Sequence, residues 1–257
     1  MQKRLTCRML CVAALGVALL WSFAAPRSAA AAEEMTISAA ASLTNAFTEL
    51  KTQFEKAHPG LTVNVNFAAS NPLLKQLQEG APVDVFASAD QATMDKAVES
   101  KVVDKKTRKN FALNDLVLIV PADSPKPAVL ADIGKFSRIA VGKPESVPAG
   151  RYAREALTSA KLWEGLQSKV ITGNSVRQVL DYVARGEVDA GFVYATDARQ
   201  LADKVDVVMT LSGHTPVLYP IAVATTGKNP KMGQSFADYV LSSEGQAVLT
   251  KYGFSKP

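Results

Sequence analysis

Ser42 stands where the apolar run from Met35 to Ala41 gives way to a stripe at helical spacing, Leu43, Ala46, Phe47, Leu50 and Phe54. At such a junction a serine takes the N-cap position, its hydroxyl accepting from the first free backbone N–H groups. Those N–H groups, with the positive end of the helix dipole, can instead be turned towards a bound anion. Ser70 repeats the arrangement. The alternating run Leu61 to Phe67 ends in Ala68-Ala69-Ser70-Asn71-Pro72, and Leu73, Leu74 and Leu77 begin a second stripe. Pro72 suits the first helical position and Asn71 the cap before it, which leaves the Ser70 hydroxyl and N–H uncommitted. Three later positions offer donors of the same kind. At Pro148-Ala149-Gly150 small side chains let a ligand approach the backbone, so Ala149 exposes its N–H at a helix start. At Asn174-Ser175-Val176, Asn174 is read as the cap, which places Val176 among the free donors of the first turn. Tyr194 ends an apolar strand, where its phenol can donate from a cleft wall.

Hydroxyls and main-chain N–H groups at strand ends can hold an anion but make poor catalytic machinery. His58 and His214, the two histidines, lie beside Pro59 and Pro216 with no metal-ligand spacing. The chain has no Gly-x-Ser-x-Gly elbow, no Gly-x-Gly fingerprint and no phosphate loop ending in Gly-Lys-Ser/Thr. The expectation is therefore a binding protein rather than an enzyme, with no cofactor and no bare-cation site. An exported hydrolase using Ser42 or Ser70 stays open as the alternative from another class, because a triad is recognised by geometry.

The elements that would position these donors are consecutive strand–turn–helix units. After the two opening units come a short strand at Val83 to Phe86 and a helix, Gln91 to Glu99, capped by Asp90; Asp84 and Asp90 are read as turn and cap residues. The charged stretch Lys101 to Asn110 reads as a solvated loop, and Leu116 to Val120 as a strand passing between lobes. The pattern then restarts with strand Arg138 to Gly142, helix Arg151 to Ala160, strand Lys169 to Thr172, helix Val176 to Ala184 and strand Ala190 to Tyr194. Val205 to Leu211 and Val217 to Ala224 follow as strands, and two helices, Lys231 to Leu241 and Ser243 to Tyr252, close the chain. Such alternation builds helix-covered sheets, and in open α/β sheets ligands sit at the carboxyl ends of the strands. The expected fold is α/β, with two lobes, each a mixed sheet flanked by helices, and two hinge crossings. Residues 33–117 plus 222–257 form lobe 1, and residues 118–221 form lobe 2.

Residues 1–32 read as a secretory signal peptide. Lys3, Arg4 and Arg8 precede the apolar run Met9 to Ala25, and Ala30-Ala31-Ala32 offers a cleavage site. Both cysteines, Cys7 and Cys11, leave with the leader, so the mature chain relies on a packed core rather than disulfides. The leader also holds four of the 29 basic residues and none of the 24 acidic ones, which leaves a nearly neutral mature chain. That balance argues against a nucleic-acid partner, which would need a clustered basic face.

Four separated motifs carry a resemblance that covers essentially the whole mature chain. They are Ala40-Ala41-Ser42-Leu43-Thr44, Gly80-Ala81-Pro82-Val83-Asp84-Val85-Phe86-Ala87-Ser88-Ala89-Asp90, Val141-Gly142-Lys143-Pro144-Glu145-Ser146-Val147-Pro148-Ala149-Gly150 and Lys251-Tyr252-Gly253-Phe254. Together they resemble the periplasmic molybdate-binding proteins of ABC importers. The resemblance implies a two-lobed type II periplasmic binding fold, a monomer that closes on molybdate or tungstate, and delivery to a membrane permease. It further implies that Ser42 and Ser70 hold the oxyanion from one lobe while Ala149, Val176 and Tyr194 hold it from the other. In that scheme Ala149 and Val176 use backbone N–H only, and Tyr194 its phenol. Asn71-Pro72 and Lys143 depart from the family pattern.

A fully deprotonated tetrahedral dianion offers only acceptors, so a pocket of donors suits it and a carboxylate repels it. Charge-assisted hydrogen bonds are about twice as strong as neutral ones, and helix N-termini add partial positive charge, so no lysine or arginine is required. The expected cleft therefore holds no fixed counter-charge. A receptor for another tetrahedral anion, such as sulfate, stays open.

Overall fold

The computed structural model describes residues 33–257; the expected signal peptide, residues 1–32, lies outside the described residues. The first lobe opens with β1 (Glu33–Ala40), α1 (Thr44–Ala57), β2 (Leu61–Ala68), α2 (Ser70–Gln78), β3 (Val85–Ala87), α3 (Gln91–Glu99) and β4 (Lys109–Asn114). The second follows with β5 (Leu116–Pro121), β6 (Ile139–Gly142), α4 (Pro148–Ser159), α5 (Trp163–Leu166), β7 (Val170–Gly173), α6 (Val176–Ala184), β8 (Ala190–Tyr194), α7 (Ala195–Ala198) and β9 (Val205–Thr210). The chain then returns through β10 (Val217–Val223) and ends in α8 (Pro230–Leu241) and α9 (Ser243–Lys251).

Two five-stranded sheets result, ordered β2-β1-β3-β10-β4 and β7-β6-β8-β5-β9. In each, three strands run parallel and the fourth position is taken by an antiparallel strand, β10 in the first sheet and β5 in the second. Those two antiparallel strands adjoin the two places where the chain changes lobes. β5 is buried from Leu116 to Val120, the near-continuous apolar run of a strand covered on both faces. β2, at a sheet edge, alternates buried and exposed over its first residues as its period-two pattern predicts. Phe47, Phe54, Phe111, Phe236, Tyr219 and Phe254 stack edge-on or tilted beneath the first sheet, and one continuous cluster of buried apolar side chains links both lobes. Among the described residues no helix is long and apolar enough to cross a membrane.

Several boundaries differ from the sequence reading. β4 ends in the first sheet at Asn114 and β5 begins in the second at Leu116, so the first change of lobe falls at Asp115 rather than after residue 117. β10 pairs with the first sheet from Val217 onward, so the return falls between β9 and Val217 rather than at residue 222. Long apolar strands show no sequence signal for the sheet they join; hydrogen-bond partners decide it. Residues 101–110 are not simply a solvated loop, because Val102 and Val103 are buried and β4 already starts at Lys109.

Candidate functional site

The turns at the carboxyl ends of β1, β2, β6, β7 and β8 meet at one small cavity of about 10 Å³ between the lobes. Ser42, Ser70, Ala149, Val176 and Tyr194 all line it, so the structure brings together every site residue expected from sequence. The rest of the wall is Ala40, Ala41, Ala69, Ala89, Val147 and Pro148, and none of these lining residues is charged. Wider grooves on the surface, such as the one lined by Arg154, Glu155 and His214, share no residue with it.

Each donor arrives by a local route, and three routes differ from expectation. Ser42 does not cap α1: it sits inside a single 3-10 turn, Ala41–Leu43, and its Oγ lies 2.9 Å from the Tyr219 phenol oxygen. Ser70 is itself the first residue of α2, so Asn71 and Pro72 stand inside the helix. Its Oγ accepts from the Ala89 N–H at 3.0 Å, which ties the α2 start to the loop after β3. Ser175, not Asn174, caps α6: its Oγ accepts from Gln178 N–H at 3.2 Å, while Asn174 N–H donates to the Gln178 side chain at 2.6 Å. Either residue type caps well, and the reciprocal bond to Gln178 selects the serine. Val176 is then the first residue of α6, with an N–H that the helix cannot satisfy.

Helix α4 starts at Pro148, three residues earlier than its apolar stripe indicates, because proline's missing N–H is no loss at the first position. Ala149 follows in the first turn. Gly142 and Gly150 make this possible: a Cβ on Gly150 would lie 1.7 Å from the Gly142 carbonyl oxygen, so only glycine lets the α4 start press onto the end of β6. Tyr194 ends β8 with 1 % exposure, and its hydroxyl has no partner among the described residues. Burial, then neighbouring Tyr219, pushes its pKa well above the usual phenol value, so it is a neutral O–H donor.

The sequence profile of the bacterial extracellular solute-binding proteins matches residues 35–255. The molybdate-binding protein ModA of Escherichia coli is 40 % identical over 245 residues, spanning 91 % of this chain and 94 % of that protein. The chain belongs to the bacterial extracellular solute-binding protein family. The periplasmic molybdate-binding protein of Azotobacter vinelandii superposes with a TM-score of 0.76 at 22 % identity, covering 87 % of this chain and 99 % of that one. The sulfate-binding protein SubI of Mycobacterium tuberculosis gives the same TM-score at 16 % identity, covering 87 % of each chain, a likeness of fold alone. The two-lobed type II fold is thus shared by these relatives, and the chain is a solute-binding protein rather than an enzyme.

Around the cavity of this solute-binding protein stand charges that sequence reasoning missed. Asp90 caps α3 as expected, accepting from Thr93 N–H at 2.9 Å, but its other oxygen receives Arg151 from the opposite lobe, with Nε at 3.0 Å. Arg151 Nη2 also reaches Thr93 Oγ1 at 3.3 Å, and Asn71 Nδ2 donates across the cleft to the Glu145 carbonyl at 2.7 Å. The departure at Asn71 is therefore a lobe-to-lobe contact, whereas Lys143 is exposed and outside the cavity lining.

Asp197, fully buried on α7, is the second charge and corrects the expectation of a cleft free of fixed charge. Arg177 Nε approaches its Oδ1 to 2.5 Å, and Arg177 Nη2 lies 3.5 Å from the Ser42 carbonyl of the other lobe. The pair is held by charge without well-aligned hydrogen bonds, since neither Asp197 oxygen has such a partner among the described residues. Burial pushes the Asp197 carboxyl up to about 6, against the opposing pull of Arg177. A raised carboxyl favours folding while protonated: its stability contribution is complete below the ordinary value of 3.8 and is lost as pH rises through 6. Because the Asp197 charge also reaches the Tyr194 phenol, its neutralisation should favour an anion in the cavity. Anion affinity is expected to increase a few-fold from about pH 7.5 to about pH 5.5, and Asp197→Asn to flatten that slope. Titration calorimetry across this range checks it, and an equal slope in both proteins refutes it.

Proposed function

We propose that this protein captures molybdate, and tungstate with it, in the periplasm as a monomer and delivers the anion to the membrane permease of an ABC importer. The observation that carries the reading is the cavity itself. Residues carrying two hydroxyls, a phenol and two helix-start N–H groups line one small space, drawn from both lobes, with no lining carboxylate and no lining cation. Such a space suits a fully deprotonated oxyanion and offers the proton of a monoprotonated phosphate no carboxylate to accept it. The name of the Escherichia coli relative, at 40 % identity, supports the choice of anion. No cofactor enters the proposal. An anion bridging donors of both lobes binds the closed arrangement better than the open one, so capture and closure are one equilibrium.

Calorimetry on refolded, ligand-free protein is the test. Tight molybdate and tungstate binding with weak sulfate and phosphate supports the reading; no oxyanion binding at all removes it. Ser42→Ala and Ser70→Ala are each expected to weaken binding by about 1.5–3 kcal/mol, the worth of a hydrogen bond to a charge. Tyr194→Phe should cost less, as one donor among several. Unchanged affinity in both serine variants contradicts the assignment of these residues.

A further inference from the structure

The Ser42 hydroxyl is linked to a chain of polar groups, buried at Tyr219 and half-buried at Asn114, whose direction is fixed from its far end. Asn114, the last residue of β4, accepts the Asp115 N–H on Oδ1 at 3.0 Å. A backbone N–H only donates, so that contact settles which end of the amide is oxygen and which is nitrogen. The Asn114 Nδ2 then donates its two hydrogens, one to Thr196 Oγ1 at 2.8 Å and one to the Tyr219 phenol oxygen at 3.2 Å. Tyr219 is fully buried on β10, and burial keeps its phenol protonated. Having accepted from Asn114, Tyr219 has one proton to place, and Ser42 Oγ at 2.9 Å is the acceptor beside it. Were Ser42 to donate back instead, the phenol proton would be buried without a partner, a cost of about 1–3 kcal/mol.

We infer that Tyr219 is a positioning residue for anion binding: by donating to Ser42, and with Asn114 setting its own orientation, it turns the Ser42 proton into the cavity. The inference rests on the proposed oxyanion site and adds to it a device that none of the lining residues supplies. A serine hydroxyl rotates about its Cβ–Oγ bond among three staggered directions. Tyr219 occupies one of them as a donor, so the Ser42 proton is excluded from that direction. A hydroxyl that accepts one hydrogen bond is also a stronger donor of the next, because successive bonds in a low-dielectric interior polarise one another. The chain Asn114, Tyr219, Ser42 thus ends in a pre-aimed donor suited to a negatively charged acceptor. Asn114 belongs to the first lobe and Thr196 to the second, so the group that starts the chain also spans the hinge.

A double-mutant cycle on the full mature chain tests this, with molybdate as titrant. Tyr219→Phe keeps the ring packing against Phe111, Tyr194 and Phe254 and removes only the hydroxyl. It is expected to weaken molybdate binding about 3–10-fold in the wild-type background. In a Ser42→Ala background the same change is expected to leave the dissociation constant unaltered, because the group it orients is gone. Equal losses in both backgrounds would show a merely structural effect on the lobe, and no loss in either would show that Ser42 orients itself; each overturns the inference while leaving the oxyanion site standing. A wild-type protein that binds no oxyanion overturns the site and the inference together. Should Tyr219→Phe melt well below wild type, Asn114→Ala takes its place in the cycle and must show the same dependence on Ser42.

Discussion

Arg151→Ala is expected to weaken anion binding by about 3–4 kcal/mol, more than a hundredfold, while leaving the melting temperature of the ligand-free protein almost unchanged. Asp90 is 3 % exposed in the side chain and Arg151 18 %, so their ion pair is withdrawn from solvent and screened little by salt. Removing one partner of such a pair leaves the other charge buried and unmatched, and that penalty dominates. Here the pair joins residues of opposite lobes. A protein lacking Arg151 can relieve the penalty by separating the lobes and letting water reach Asp90, so the cost falls on closure and not on folding. Asp90→Asn gives the complementary case, because an amide keeps the cap on α3 but forfeits the charge. Calorimetric affinities together with melts of the ligand-free proteins decide the matter. Unchanged affinity in both variants refutes a role in closure, and a large drop in melting temperature would show the pair to be ordinary core.

Gly150→Ala should destabilise the protein by about 3 kcal/mol or more and abolish anion binding. The added methyl would meet main-chain atoms, the Gly142 carbonyl group, and a backbone oxygen cannot rotate aside as a side chain can. Relief requires the start of α4 to lift from β6, which carries Ala149 away from the cavity and strains Val147 and Pro148 with it. Gly186→Ala is a useful comparison. Its φ of +66° carries the strain of a left-handed alanine, but a Cβ there meets nothing within 4 Å, so it should lose stability modestly and keep its affinity. Chemical denaturation and titration of the two variants side by side provide the check.

The strand–turn–helix units were legible because their signals are local. α6 and β8 occupy the very residues that periodicity assigned them, and five of the cavity-lining positions are visible in the sequence as small or hydroxyl residues at strand ends or, for Val176, as a first-turn N–H donor behind a cap. What periodicity could not supply is which distant residues meet. Asp90 and Arg151 lie 61 positions apart, and Ser42 and Tyr219 lie 177 apart; each pair exists because two separate folding units are brought face to face. Asp90 shows the limit well: its capping role follows from the residues next to it, whereas its second oxygen is committed by another lobe. Asp197 is hidden in the sequence for the same reason. Nothing in its neighbours marks it as buried until α6 lays Arg177 against it.

Five of the eleven residues lining the cavity are alanines, Ala40, Ala41, Ala69, Ala89 and Ala149. Alanine has no rotamers to freeze, so this surface loses no side-chain entropy when an anion arrives, and it has no means of yielding to an ill-fitting one. The bore is a gauge of fixed width. Among anions of equal charge and shape, discrimination then passes to bond length and ionic radius, and one methylene added to or removed from that wall is the smallest step by which such a protein can be retuned.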